Sequence, residues 1–490
     1  MLKRSKTSFV YLLLLMIPFL FLNGCSGRPT LLFLNWGEYI SDEFIEKFEK
    51  EYNCNLIVDI ADSNELFYSK IKSGTTAYDL CCPADYMVEK MYVKGLLQEI
   101  DFNQVVPEGT DLSGFGGDAF SFTKSKFMPG VLEIEKGMND EMVHIAQEFN
   151  IEYNHANDEI NRYHFPYFWG TFGLQYNKLN PDFKDEKTYD KVTNEFIKDG
   201  PDGEPDVFQE GNRPWSVYYE PERLSSSTRV GMYSAVRFAY GAAMFYAREC
   251  ETGAKTITPN VPVSTHGNMF NDILTKRKYV EWSTEHLKHS IESHNIDLAF
   301  TYTGDCMDMG YLKIKDGYDF EDLEFYVHVP QNTVMHTDTL VIPANSRHPE
   351  LAHKFLQFCL EPENAYLNSS VVGYCPPLQD VYDMIVSNSD LFDWIYALKE
   401  TNPKINVKNE ISKLDRKVIE DELTSHGLPA DLSIDDIHWY RNWGMALKTT
   451  FPIVKPEEID PNRLRTPLSF FSKDDLTIIT NIMNNAKARQ

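Results

Sequence analysis

Three short clusters near the start of the chain join aromatic rings to carboxylates and amides: Trp36, Glu38 and Tyr39; Asp62, Ser63 and Asn64; Asp85 and Tyr86. An aromatic face attracts a cation by about 0.5–2 kcal/mol. A carboxylate adds a charge-assisted hydrogen bond to an ammonium. Together these residue types suit a cation with an apolar body. Phosphate-cradling loops of the GxGxxG or GxxxxGK[ST] kind do not occur. Neither do GxSxG nor HExxH, and 73 acids make chance carboxylate pairs inevitable, so catalysis is not expected. The blander alternative is that Trp36 and Tyr39 simply pack beneath their loop.

The clusters fall where a folded sheet would gather them. Thr30–Asn35 is a continuous apolar run ending at Trp36-Gly37, as expected of a strand covered on both faces. Ser41 can cap a helix whose first turn holds Asp42 and Glu43, with Phe44, Ile45, Phe48 and Tyr52 on one face. Asn55–Ile60 predicts a second strand, Ser63–Lys72 a second helix closed at Gly74, and Tyr78–Cys82 a third strand. A third helix runs from Tyr86 to Gly95. Strand and helix alternating with such short connections predict a parallel sheet. Ligands of such sheets lie beyond the carboxyl ends of the strands, which is where the three clusters stand.

Export is written in the first residues. Lys3, Arg4 and Lys6 precede the apolar run Phe9–Leu22, which closes on Gly24-Cys25. That run of about 14 residues holds Pro18 and is shorter than the roughly 20 a membrane span needs. Residues 1–25 therefore read as a secretion signal ending in a lipobox, with Cys25 the lipidated first residue of the mature chain. Buried acyl chains contribute about 0.8 kcal/mol per methylene, enough for a diacyl anchor to hold a soluble domain at a membrane surface. The formal charge of −26 over 490 residues lacks a nucleic-acid footprint and would steer cations rather than anions. Seven cysteines remain after Cys25, an odd number in no zinc or CxxC spacing. They are expected to be mostly buried small hydrophobes, with room for one disulfide; no metal or cofactor is implied.

Seven segments in order resemble the spermidine/putrescine-binding proteins of bacterial ABC importers, a branch of the type II periplasmic binding proteins. They are Leu34–Ile40 (LNWGEYI), Asp62–Glu65 (DSNE), Tyr78–Tyr86 (YDLCCPADY), Phe165–Gly170 (FPYFWG), Tyr302–Asp305 (YTGD), Asp338–Asn345 (DTLVIPAN) and Val372–Pro377 (VGYCPP). The resemblance implies an α/β fold of two lobes, each a mostly parallel sheet flanked by helices, closing on a small cationic solute. It places lobe one at residues 29–169 plus 338–382, and lobe two at 170–337 plus 383–490, with Trp169-Gly170 and Asp338 at the crossovers. Residues 104–161 and about 383–450 read as insertions. The second holds Trp394, Trp439, Trp443 and the helical run Asn409–Thr424, whose aromatics are expected to pack locally.

By the same resemblance Trp36, Tyr39 and Tyr86 are aromatic walls of the site, Glu38 an adjoining acid, and Asp338 the acid that bonds an amine from the hinge side. Tyr374 falls at an aromatic position, and Tyr302 replaces a tryptophan. Asp85 stands between Ala84, where the family has serine, and Tyr86. The acids that many members carry around an arginine are replaced by Ala235 and Phe238 in Met232–Phe238, so Asp305 is the candidate substitute charge. His336 is read as a packed histidine. The implied role is a lipid-anchored receptor delivering a polyamine to a permease and its ATPase. Thiamine, an amino-acid derivative or chelated iron stay open as cargo.

Overall fold

Thr30–Asn35 forms strand β1 in a computed structural model that describes residues 27–183, 213–250, 257–260, 263–284, 286–402, 404–450, 464–468 and 471–489. The signal and Cys25 lie outside the described residues. Helix α1 (Asp42–Tyr52) starts where Ser41 accepts the backbone N–H of Phe44, and its acidic first turn complements the helix dipole. Its buried Phe44 and Phe48 pack edge-on against Phe355 and Phe358. Strand β2 (Asn55–Ile60), helix α2 (Asn64–Ser73), strand β3 (Leu80–Cys81) and helix α3 (Asp85–Val93) follow. The sheet has the order β2-β1-β3 and is parallel throughout, as the alternation predicted. Strand β2 sits at its edge, so Ile57 and Ile60 are exposed rather than covered.

Strand β3 is shorter than the expected Tyr78–Cys82, and the side chain of Asp79 pins its entry. One of its carboxylate oxygens accepts the backbone N–H groups of Arg347 and His348 at 2.8 Å each, the other that of Leu32. This ties the strand's entry to a distant loop, while the Asp79 N–H itself donates to the Leu32 carbonyl of β1.

A second sheet is built around strand β4 (Phe165–Asn177), buried along all 13 residues. Strand β5 (Gly231–Tyr233), helix α4 (Val236–Cys250), strand β6 (Glu281–Ser283), strand β7 (Leu298–Tyr302) and helix α5 (Thr303–Lys315) succeed it, then strands β8 (Phe325–His328) and β9 (Thr333–Leu340). The first half of β4 pairs antiparallel with β9, Phe168 opposite Asp338 and Gly170 opposite His336; its second half pairs with β7 and β8. Strands β5 and β6 are parallel, and a parallel bridge links Val230 to Leu298. Strand β9 also bridges back to the first sheet, Asp338 to Ala84. The result is the two-lobed α/β architecture expected, although every pair that β4 makes is antiparallel; β4 and β9 pair within the second sheet, and β9 is the strand that touches the first.

Helices α6 (Pro349–Leu360), α7 (Pro362–Val372) and α8 (Gln379–Ser387) return to the first sheet, and α9 (Ile434–Thr450) closes the segment after them. Residues 391–437 bury a small core of their own, including Leu391, Phe392, Ile411 and Leu423. The expected run Asn409–Thr424 is two helices, Val407–Ile411 and Arg416–Ser425, because Asp415 caps the second by accepting the Lys417 N–H. Trp439 stacks on Trp443 at 4.8 Å, but both pack into the main core rather than locally as expected, and Trp394 is exposed. The seven described cysteines are all free; every one but Cys250 is buried, and the disulfide for which the sequence left room does not form among them. No described helix is long and apolar enough to cross a membrane.

Candidate functional site

Strand β1 delivers Trp36, Glu38 and Tyr39 to the edge where β9 passes, and it is Tyr39 that reaches across. Its hydroxyl donates to Asp338 Oδ2 at 2.7 Å. The Tyr39 ring meets Phe168 edge-on at 5.1 Å and Tyr374 at 5.2 Å. Burial, then the neighbouring Asp338 charge, raises the Tyr39 hydroxyl well above its ordinary pKa, so it stays a neutral donor. Asp338 is partly exposed along its length, but its carboxylate is enclosed. Burial pushes that carboxyl up to about 6, against the pull of the Tyr39 hydrogen bond.

Tyr374 follows Gly373, which ends α7 in the left-handed conformation. Its ring lies on Gly304 at the start of α5, where a Cβ would come within 2.2 Å of it; only glycine admits that contact. Tyr302 ends β7 between Phe172 at 4.2 Å and His336 at 4.5 Å. The Asp305 and Asp338 charges act on both the Tyr302 and Tyr374 hydroxyls, whose pKa values burial chiefly raises. Tyr39, Tyr302, Asp305, Asp338 and Tyr374 are thus one neighbourhood, built from four separated stretches of chain.

Asp85 and Tyr86 border it with different attachments. Asp85, 2% exposed, accepts the backbone N–H of Tyr86 at 2.7 Å and that of Thr337 at 3.3 Å, which fixes β9 to the start of α3. Burial holds its carboxyl up at about 7. The face of Tyr86 is covered by the Arg237 guanidinium at 4.3 Å. Trp36 turns to Phe67, edge-on at 4.6 Å, which is the packing alternative the sequence left open for it. Its buried Nε1 has no hydrogen-bond partner among the described residues.

Glu38 is exposed and holds a left-handed backbone, φ 55°. That conformation costs an L-residue with a Cβ roughly 1–2 kcal/mol. Glu38→Gly is therefore expected to leave the fold about 1 kcal/mol more stable than Glu38→Ala does. Urea unfolding of the two variants reads the difference; equal stabilities would mean the turn carries no strain.

Four residues were missed or given no role. Phe238 stacks on Phe172 at 4.5 Å and 20°, filling with an apolar ring a position where the resemblance puts an acid. Tyr233 lies 6.0 Å from Tyr302. Arg237 stands in sequence between the two replaced acids, and its stacking on Tyr86 is a contact that no local pattern gives. Phe471, which stacks on the same guanidinium at 4.6 Å, carried no signal at all. His336 is buried, with burial lowering its pKa to about 3, so it is the packed neutral histidine expected.

Chemically, this arrangement is an enclosed carboxylate with one phenolic donor and neighbouring tyrosines, residue types able to hold a cation. No group of three or more His, Cys, Asp or Glu among the described residues is arranged to hold a metal ion.

The sequence profile of the bacterial extracellular solute-binding proteins matches residues 43–392. The spermidine/putrescine-binding periplasmic protein of Salmonella typhimurium is 25% identical over 362 residues, 72% of this chain and 78% of that protein. The putrescine-binding periplasmic protein of Escherichia coli is 22% identical over 395 residues, 77% of this chain and 89% of that protein. Among solved structures, the spermidine/putrescine ABC transporter substrate-binding protein of Streptococcus pneumoniae superposes with a TM-score of 0.54 at 18% identity, over 94% of this chain and 99% of that one. At that identity the structural likeness establishes the fold.

Proposed function

Because the chain belongs to the bacterial extracellular solute-binding proteins, whose role is to bind solute rather than to catalyse, we propose that it captures a polyamine of the putrescine/spermidine class for an ABC importer. The observation that carries this reading is the enclosed Asp338 carboxylate, hydrogen-bonded by Tyr39, with its charge felt by the Tyr302 and Tyr374 hydroxyls. The names of the relatives support the same cargo. Tyr39, Tyr302, Tyr374, Asp338 and Asp305 form the binding surface, with Asp85 and Tyr86 beside it and Trp36 and Glu38 in the loop after β1. Lipid on Cys25 would hold the receptor on the outer face of the cytoplasmic membrane, beside a permease and its ATPase.

Lobe one comprises residues 29–169 and 338–382, lobe two 170–337 and 383–490. Closure bends the chain where β4 and β9 cross, at Trp169-Gly170 and Asp338. A second reading, a cation with a single charge such as thiamine, is favoured by one observation: Phe238 stacks where a second acid would otherwise stand.

A thermal-shift panel separates the two. Ligand at 100 times its dissociation constant adds about 2.7 kcal/mol of stability. Putrescine, cadaverine, spermidine or spermine is expected to raise the melting temperature; no shift with any of them sinks the polyamine reading. Asp305→Ala is expected to weaken diamine binding by about tenfold, the loss of one charge-assisted contact. Unchanged affinity would remove Asp305 from the site.

A further inference from the structure

Two donors converge on the backbone carbonyl of Tyr39: the Tyr167 hydroxyl at 3.1 Å and the side-chain amide of Asn35 at 3.3 Å. The Tyr167 oxygen in turn accepts from the side-chain amide of Asn368 at 2.8 Å, and the carbonyl oxygen of that amide accepts the backbone N–H of Ser41 at 2.9 Å. Asn368 thus brackets Tyr39, through Tyr167 on one side and Ser41 on the other, with both ends of its amide in use. Asn35, Ser41, Tyr167 and Asn368 are all buried, where a lost partner is not replaced by bulk water. Asn368 belongs to α7, the helix that ends at Gly373 and leads into Tyr374, and the rings of Tyr374 and Tyr39 meet at 5.2 Å. One helix therefore places both tyrosines.

We infer that Asn368 is a positioning residue: acting through Tyr167 and Ser41, it keeps the Tyr39 hydroxyl on Asp338 and so sets the affinity of the cleft for a cation. This rests on the reading of Asp338 as the anchor of an amine. Tyr39 stands in the loop after β1 and Asp338 in β9, so their bond depends on where the loop backbone is held. A displacement of about 1 Å carries that 2.7 Å bond out of hydrogen-bonding range. The bond also favours the ionised carboxylate, which is the form that pairs with an ammonium. Losing it leaves Asp338 free to turn and readier to take up a proton.

Calorimetric titration of the purified chain with putrescine and with spermidine, in a double-mutant cycle between Asn368→Ala and Tyr39→Phe, tests this. Asn368→Ala is expected to weaken binding about tenfold in the wild-type background and less than about twofold in the Tyr39→Phe background, where the hydroxyl it places is already gone. A residue that only stabilised the fold would cost the same in both. Tyr167→Phe keeps the ring and removes the hydroxyl that links Asn368 to Tyr39. It is expected to show the same dependence on Tyr39, so the test stands if the alanine variant does not fold. Unchanged affinity in either folded variant, or equal losses in the two backgrounds, would overturn the role of Asn368 while leaving an amine receptor. Binding of neither amine to wild type would overturn the amine reading itself, and this inference with it.

Discussion

Asp338→Asn is expected to weaken binding of the cationic solute by about 100-fold or more, while making the unliganded protein more stable at neutral pH. The first effect follows from removing one partner of an enclosed, hydrogen-bonded charge pair, a loss of about 2–5 kcal/mol. The second follows from burial. The carboxyl has a folded-state pKa of about 6 against an ordinary 3.8, so folding favours its protonated form. Stability from that preference is full below pH 3.8 and is lost as pH rises through about 6, leaving the ionised group a cost of about 2–3 kcal/mol above that. Asparagine is never charged and can still accept from the Tyr39 hydroxyl. The stability gap between variant and wild type should therefore be largest above pH 6 and close as pH approaches 4. Because a cation prefers the ionised carboxylate, wild-type affinity should fall about tenfold per pH unit below pH 6. Titration calorimetry and urea unfolding across pH 4–8 read both; a variant with wild-type affinity would show that Asp338 is not the anchor.

Arg441→Met is expected to cost about 3–5 kcal/mol, the usual result of stranding a buried carboxylate. Arg441 is 1% exposed, pairs with Glu321 at 2.6 Å and Asp393 at 3.6 Å, and lies 3.8 Å over the Tyr396 ring. The same helix α9 places His438 against Asp319 at 2.8 Å, and its Asn442 accepts the backbone N–H of Phe320 at 2.7 Å. Lys399 pairs with both Asp319 and Asp322. The turn at 319–322, which follows the helix bearing Asp305, is thus clasped by residues 399–442. Trp443 meets Tyr366 of α7 at 5.5 Å and Trp439 meets Tyr311 of α5 at 6.0 Å, so α9 touches helices of both halves of the fold. Hydrogen exchange should show residues 391–437 losing protection before the β1–β3 sheet does. Adding Glu321→Gln should recover most of the loss, since the stranded charge is then gone. A single-variant loss below about 1 kcal/mol would mean that Glu321 is solvated without its partner.

How far the sequence reached depended on chain separation. The elements from β1 to α3 were legible because each is decided locally: Ser41 caps, Gly74 stops, and Thr30–Asn35 is too apolar to be anything but a covered strand. Their parallel order follows from short connections and handed crossovers, which bring Tyr39, Asp85 and Tyr86 to one edge without knowledge of the rest. The remaining site residues were reached only through resemblance, because Tyr39 and Asp338 are 299 residues apart and no local rule joins them.

The clusters at Trp36, Asp62 and Asp85 that drew attention first were divided by the fold. By itself the sequence determined an acidic chain of alternating strands and helices with aromatics and acids at the strand ends, since propensity, capping and periodicity act over a few residues. Only the tertiary structure decided which of them meet. Trp36 turned to Phe67 and Tyr39 to Asp338. Tyr374 settled on the bare face of Gly304, and Arg237 slid between Tyr86 and Phe471. Those contacts depend on packing shape and on charge enclosed away from water, and neither exists until the chain has closed on itself.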